Sequence, residues 1–291
     1  MRILLTGAGG QVGFELANTL APLGELRACD HAALDLADPD ALVAACRRYK
    51  PGLIVNAAAY TAVDQAESEP EAANAVNARA PGILAEEARR LGAVLVHFST
   101  DYVFDGEKRT PYEEEDPPHP LNAYGRSKLA GERAIAESGC RHLVFRTSWV
   151  YATRGRNFLV TMLALARTRD EVRVVDDQRG APTASLFLAQ AAARALAEIP
   201  RDGVASGIYH LSAAGQTTWA GFAEAIFDRA ARLGAMRVPR VVPIASADYP
   251  TPAHRPRNSV LSHRKFTTSF GFELASWEAQ LDACFDRMPF A

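Results

Sequence analysis

The chain has 291 residues, of which 48% are hydrophobic and 23% charged, and a formal net charge of −2. That length is ample for a sizeable core in one large domain or two intimate ones. Near-neutrality gives no global attraction to nucleic acid or to an anionic membrane surface. The first apolar run is too short for a signal peptide, and no apolar stretch of roughly 18 residues suggests a membrane span. Cys29, Cys46, Cys140 and Cys284 are widely spaced, with no Cys-x-x-Cys and no histidine at metal-ligand spacing. They read as reduced thiols of a cytoplasmic protein.

The first half alternates short apolar runs with helical patterns. Ile3–Thr6 reads as a buried strand, followed by a glycine turn and a helix to about Leu20. A strand over Leu26–Cys29 and a helix over Ala41–Tyr49 follow, then a strand over Leu53–Ala57 and a long helix within Glu71–Leu91. Ala93–Ser99 reads as a fourth strand, and His142–Thr147 as another beyond the next helix. Near-continuous apolar strands in repeated β-α units predict an α/β fold, a doubly wound parallel sheet covered on both faces. After about residue 150 the pattern loosens. Helices are expected at Phe158–Arg167, Ala184–Glu198 and Trp219–Leu233, and the Pro- and Arg-rich stretch Val238–Ser259 reads as an ordered loop. The expected organisation is a Rossmann-type dinucleotide-binding domain over residues 1–150. Residues 151–291 then form mainly a smaller C-terminal substrate-binding lobe, with some segments returning to the first domain.

Gly7, Gly10 and Gly13 are spaced G-x-x-G-x-x-G directly after the first strand, where a helix opens. A pyrophosphate needs a tight turn, close backbone approach and the amide donors of a helix N-terminus there. Asp30, at the end of the second strand, suits the adenosine ribose hydroxyls and favours NAD over NADP, although Arg27 or His31 could soften that preference. Asp35-Leu36 suits the adenine edge, and Asp35 reads equally well as a solvated loop residue. The small residues Ala57, Ala58 and Ala59 after Asn56 let a cofactor lie against the backbone; a tightly packed small-residue site is the competing reading.

Tyr124-Gly-Arg-Ser-Lys128 puts a phenol and an ammonium one helical turn apart on one face. The chain has only four lysines (Lys50, Lys108, Lys128, Lys265) among its 32 basic residues. A lysine here, where arginine is the default cation, is therefore informative. A compact ammonium can lower a neighbouring phenol's pKa. Ser99-Thr100, at the end of the fourth strand, could complete a proton-donating triad around a carbonyl. His97, in mid-strand, reads as a satisfied core histidine, and Tyr102 and Phe104 as packing.

Together, the glycine turn, Asn56-Ala-Ala-Ala59, Ser99–Phe104 and Tyr124-x-x-x-Lys128 resemble the extended short-chain dehydrogenase/reductases over the first 150 residues. Finer motifs are Thr61-Ala-Val-Asp64 with Glu67-Ser-Glu-Pro70, Pro120-Leu-Asn-Ala-Tyr-Gly125 and Phe145-Arg-Thr-Ser-Trp-Val-Tyr151. Asp177-Gln-Arg-Gly-Ala-Pro-Thr183 and Arg255-Pro-Arg-Asn-Ser259 complete the set. These narrow the resemblance to the dTDP-4-dehydrorhamnose reductases, over essentially the whole chain.

The resemblance implies reduction of the C4 ketone of dTDP-4-dehydro-β-L-rhamnose by NADPH or NADH. Tyr124 would protonate the developing alkoxide, Lys128 would depress the phenol's pKa and hold the nicotinamide ribose, and Thr100 would donate to the carbonyl oxygen. Gln11, Val12, Tyr60 and Thr61 would join the residues above in binding the cofactor. Thr100, Asp101, Trp149, Asn157 and Arg255 would contact the substrate, with Arg255 and Arg257 serving its diphosphate. Trp149 and Arg257 also have bland readings, as core and as solvated loop. Some members of the family dimerise through a magnesium ion held by glutamates. Glu15 is present, but Leu186 stands where a second acid is expected, so no structural metal is expected and a monomer or a homodimer stays open. Competing readings are another nucleotide-sugar 4-ketoreductase, an epimerase or dehydratase of the same fold (which Asp101 keeps in play), and a non-catalytic regulatory subunit similar to methionine adenosyltransferase β.

Overall fold

A computed structural model describes residues 1–198, 206–234 and 238–288. The first half runs β1 (Arg2–Thr6), α1 (Gln11–Leu20), β2 (Glu25–Cys29), α2 (Pro39–Tyr49), β3 (Leu53–Asn56), α3 (Pro70–Asn74), α4 (Ala80–Leu91), β4 (Val94–Thr100), α5 (Ala123–Ser138) and β5 (Arg141–Thr147). A π-helical turn, Ala75–Arg79, joins α3 to α4. The second half runs β6 (Val150–Tyr151), α6 (Phe158–Ala166), β7 (Glu171–Val175), β8 (Arg179–Gly180), β9 (Thr183–Ala184), α7 (Ser185–Glu198), β10 (Gly207–His210), β11 (Thr217–Thr218), α8 (Trp219–Arg232), β12 (Arg240–Ile244), α9 (Arg264–Phe270) and α10 (Trp277–Phe285). No helix among the described residues is long and apolar enough to cross a membrane.

Six strands form one parallel sheet in the order β10-β5-β4-β3-β1-β2. The period of two along β1 assigns its side chains. Ile3 and Leu5 join Leu16 of α1, Leu188 and Ala192 of α7 and Phe266 of α9 on one face. Leu4 joins Leu42 and Cys46 of α2, Leu84 of α4 and Ile135 of α5 on the other. Helix starts are capped by side chains: Asp38 accepts from the Ala41 N–H, and Asn122 from the Gly125 N–H. A third cluster, containing Tyr151, Leu159, Phe222, Phe227, Trp277 and Leu281, forms the core of the lobe built on α6, α8 and α10.

The second half contributes to both bodies. Strand β10 extends the large sheet beside β5, and α7 packs on α1. The Pro- and Arg-rich stretch expected to be a loop contains a strand: β12 pairs in parallel with β7, residue for residue from Arg240–Glu171 to Ile244–Val175. Its composition hides it. A two-stranded ribbon has no central strand, so Pro243 and Arg240 cost few ladder bonds there.

The sheet also encloses one charge pair. Arg146 Nη2 donates to Glu132 Oε2 at 2.7 Å, with the two side chains 3% and 2% exposed. Ser99 gives its hydroxyl proton to the other Glu132 oxygen at 2.5 Å. Removing one member strands the other in low dielectric. We predict that Glu132→Leu lowers unfolding free energy by about 3–5 kcal/mol in urea titration, and that Glu132→Leu/Arg146→Met recovers most of the loss. Equal losses in the single and double variants would show that the pair is not the source.

Candidate active site

In a parallel sheet wound in both directions, a crevice opens at the carboxyl ends of the strands where the order reverses. Here β2 and β3 flank β1, and a cleft of about 890 Å³ opens there, extending beneath the lobe. Gly7, Gly10, Gln11 and Val12 line it at one end; Trp149, Asn157 and Trp219 line it at the other.

The glycine turn fits a dinucleotide. Gly7 has φ +74°, and a Cβ there would lie 2.5 Å from the Ala58 backbone nitrogen. Gly10 caps α1 without any side-chain bond to the first turn, which leaves the helix's opening N–H groups available to an anion. Gln11 Oε1 is buried and without a partner while its residue lines the cleft. A polar atom left this way is expected of a site shaped for a ligand.

Tyr124 and Lys128, in the first turns of α5, reach the cleft beside Thr100 at the end of β4. Burial pushes the Tyr124 phenol up to about 12, with Asp101 adding to the rise and a hydrogen bond with Thr100 opposing it. Burial brings the Lys128 amine down to about 7, opposed by Glu132. Lys128 Nζ donates to the Phe98 carbonyl at 2.6 Å and lies 3.1 Å from His97 Nε2. Asp101 is buried as well, and burial raises its carboxyl to about 6 against hydrogen bonds from Ser259, Ser148 and Thr100. The Thr100 hydroxyl donates to Asp101 Oδ1 at 3.0 Å and accepts from the Tyr102 N–H. Donation to a ligand oxygen therefore requires its proton to swing away from Asp101.

The far wall is aromatic. Trp149 stacks on Trp219 with ring centroids 3.6 Å apart and planes 6° from parallel. Its backbone sits at φ +47°, uncommon for a bulky side chain, and its carbonyl accepts from the Thr183 N–H. A Cβ on Gly180 would come within 2.3 Å of the indole, which accounts for glycine in the Asp177–Thr183 motif.

Of the residues singled out from sequence, Gly7, Gly10, Gln11, Val12, Asp35, Leu36, Ala57, Ala58, Ala59, Tyr60 and Thr61 line the cleft, as do Thr100, Asp101, Tyr124, Lys128, Trp149 and Asn157. Gly13, Asp30 and Arg255 do not. Gly13 lies under the turn, where a Cβ would meet the Gly7 carbonyl at 2.0 Å, so its place is close packing of helix on strand. Asp30 Oδ1 accepts from the Ala33 N–H at 2.9 Å, closing the turn after β2. Arg255 is bound to Asp64 at 2.8 Å and to the Thr251 hydroxyl and Ala253 carbonyl. Asn157 lines the cleft with its amide spent on α6: it accepts from the Val160 N–H and donates to the Ala152 and Arg154 carbonyls. Sequence reasoning missed Arg156, Phe158 and Trp219, which line the cleft from the lobe. Only the N-cap patterns Asn157-Phe158 and Thr218-Trp219 mark two of them, since helix starts often face a cleft.

The chain matches the model of the RmlD substrate binding domain family over residues 1–290. A dTDP-4-dehydrorhamnose reductase of Burkholderia thailandensis is 51% identical, the alignment covering 98% of each chain. That of Escherichia coli K12 is 45% identical, over 96% of this chain and 95% of its own. A crystal structure of the Bacillus anthracis dTDP-4-dehydrorhamnose reductase, in complex with NADP, superposes with a TM-score of 0.91 at 34% identity and 99% coverage of both chains. With the glycine turn, the Tyr124–Lys128 pair and the lobe motifs in one cleft, the chain belongs to the dTDP-4-dehydrorhamnose reductase family.

Proposed function

We propose that the protein reduces the C4 ketone of dTDP-4-dehydro-β-L-rhamnose to give dTDP-β-L-rhamnose, with NADPH or NADH as reductant. The observation that carries this is one continuous cleft joining a pyrophosphate-shaped turn to a buried phenol, amine and hydroxyl. The bound nicotinamide supplies the hydride. Gly7, Gly10, Gln11 and the opening N–H groups of α1 hold its pyrophosphate, and Ala57, Ala58 and Ala59 admit the cofactor close to the sheet.

Tyr124 gives its proton to the ketone oxygen as negative charge develops there. A phenol kept protonated by burial is present as an acid throughout the neutral range. Thr100 turns its hydroxyl from Asp101 to the same oxygen and holds it in line. Lys128, fixed to the Phe98 carbonyl, presents its remaining N–H toward the ribose and Tyr124. The Trp149–Trp219 stack closes the wall against water and offers a flat apolar face to the sugar or the base.

Tyr124→Phe removes the acid and little else. We expect kcat to fall by about 10²–10⁴-fold with NADPH affinity within about twofold of wild type; turnover surviving within a few-fold would place the acid elsewhere. Lys128→Met should depress kcat and weaken cofactor binding together, read by steady-state kinetics and fluorescence titration. Unchanged affinity would contradict the ribose contact.

Cofactor choice does not run through Asp30 in this reading, because that residue lies outside the cleft lining and one of its carboxylate oxygens closes the turn after β2. Asp30→Ala should leave the ratio of kcat/KM for NADPH and NADH within about threefold of wild type. A tenfold shift toward NADPH, about 1.4 kcal/mol, would put the carboxylate at the ribose after all.

A further inference from the structure

His97 does none of the work described so far, and it does not line the cleft. It is fully buried, with Nδ1 3.0 Å from Asn56 Nδ2 and Nε2 3.1 Å from Lys128 Nζ. Asn56 determines which ring nitrogen carries the proton. The Ala58 backbone N–H, which can only donate, reaches Asn56 Oδ1 at 3.3 Å, and the Thr6 hydroxyl donates to the same oxygen at 2.7 Å. Turning the amide over would set its NH₂ against the Ala58 N–H. The oxygen therefore faces Thr6 and Ala58, and the NH₂ faces His97. An amide nitrogen has no acceptor capacity, so His97 Nδ1 accepts, and a neutral ring then holds its proton on Nε2. That N–H points at Lys128 Nζ.

An ammonium has three donors and no lone pair. The contact between Nε2–H and Nζ is thus a hydrogen bond only when Lys128 is an amine. As an amine, Lys128 accepts from His97, donates to the Phe98 carbonyl and keeps one N–H for the cleft. We propose that His97 is a positioning residue whose Nε2–H, oriented by Thr6, Ala58 and Asn56, holds Lys128 as a neutral amine in the cofactor-free protein. Charging Lys128 then requires breaking this bond, and the protonation state of the lysine beside Tyr124 is set from β3 and β4 as well as from its own helix.

The surroundings agree. Burial keeps His97 neutral, its pKa well below the ordinary range. Burial likewise brings Lys128 to about 7. The one carboxylate acting on it from α5 is Glu132, one turn on, and Arg146 of β5 and the Ser99 hydroxyl of β4 occupy both its oxygens. Tyr124, one turn earlier on α5, and Asp101, after β4, share the cleft side. The facing contact of the π turn, Asn77 to Ser127, is neutral.

The inference rests on the proposed role of Lys128 for its importance to catalysis, but its test needs no substrate. In ¹⁵N-histidine-labelled, cofactor-free protein, long-range ¹H–¹⁵N spectra should show His97 as the neutral Nε2–H tautomer between about pH 6 and 9. The Nδ1–H tautomer, or protonation within that range, would overturn the proposal. The four lysines make a second reading simple. With ¹³Cε-labelled lysine, the resonance lost in Lys128→Met should titrate near neutrality. In Asn56→Asp, the second carboxylate oxygen accepts from Nδ1–H and turns Nε2 into an acceptor for an ammonium. The Lys128 titration should then rise by about one unit or more, with His97 switched to the Nδ1–H tautomer. A switched tautomer with an unmoved lysine titration would overturn the link between the two. If Asn56→Asp fails to fold, the wild-type tautomer still decides. Absence of reductase turnover with the expected tautomer would count against the function and leave this inference standing.

Discussion

The strand order of the sheet is the constraint on which everything else depends. Because β2 and β3 take opposite sides of β1, the helices that follow them diverge and leave a gap that no side chain fills. Whatever stands at the carboxyl ends of β1, β3 and β4 is delivered to that gap: a glycine turn from the first, three alanines from the second, Ser99-Thr100-Asp101 from the third. The lobe is needed because the gap alone is open on one side. The cluster containing Phe222 and Tyr151 positions α6 and α8 so that Phe158 and Trp219 close it.

Beneath the cleft, the apolar sheet carries a cluster of buried polar groups. Asn56, His97, Lys128, Ser99, Glu132 and Arg146 are each at most 4% exposed and linked by hydrogen bonds into two short chains. Low dielectric makes each link stronger and each broken link costlier, so such chains fix side-chain orientation and shift titration together. In the same surroundings burial brings Lys128 down to about 7 and pushes Tyr124 up to about 12, one turn of helix apart.

The sheet was legible in the sequence because its strands obey local rules. Ile3–Thr6, Leu53–Ala57 and Ala93–Ser99 are apolar runs, and strands form at Arg2–Thr6, Leu53–Asn56 and Val94–Thr100, each end within one residue. Cleft residues were legible where a backbone turn or a spacing marks them, as at Gly7 and at Tyr124 with Lys128. The site was obscure where the residue type of a charged group does not give its partner, near or far along the chain. Asp30 carries the expected charge in the expected place, yet the local Ala33 N–H takes its oxygen. Arg255 has the right chemistry for a diphosphate, but Asp64, nearly two hundred residues earlier, engages it. His97 reads as core in any single sequence; only the contacts of Asn56 and Ala58 give its ring a direction. Strand β12 is hidden by its composition because a two-stranded ribbon lets proline and arginine stand where a central strand would exclude them.

The most direct test of the account is turnover by the purified, unmodified protein. It should be given dTDP-4-dehydrorhamnose generated in place, with NADPH and NADH in parallel. The account predicts loss of reduced-nicotinamide absorbance in step with formation of dTDP-rhamnose, one cofactor consumed per sugar. Binding of the nicotinamide without net oxidation would contradict it, and would point to a site that recycles its cofactor or that carries out no chemistry.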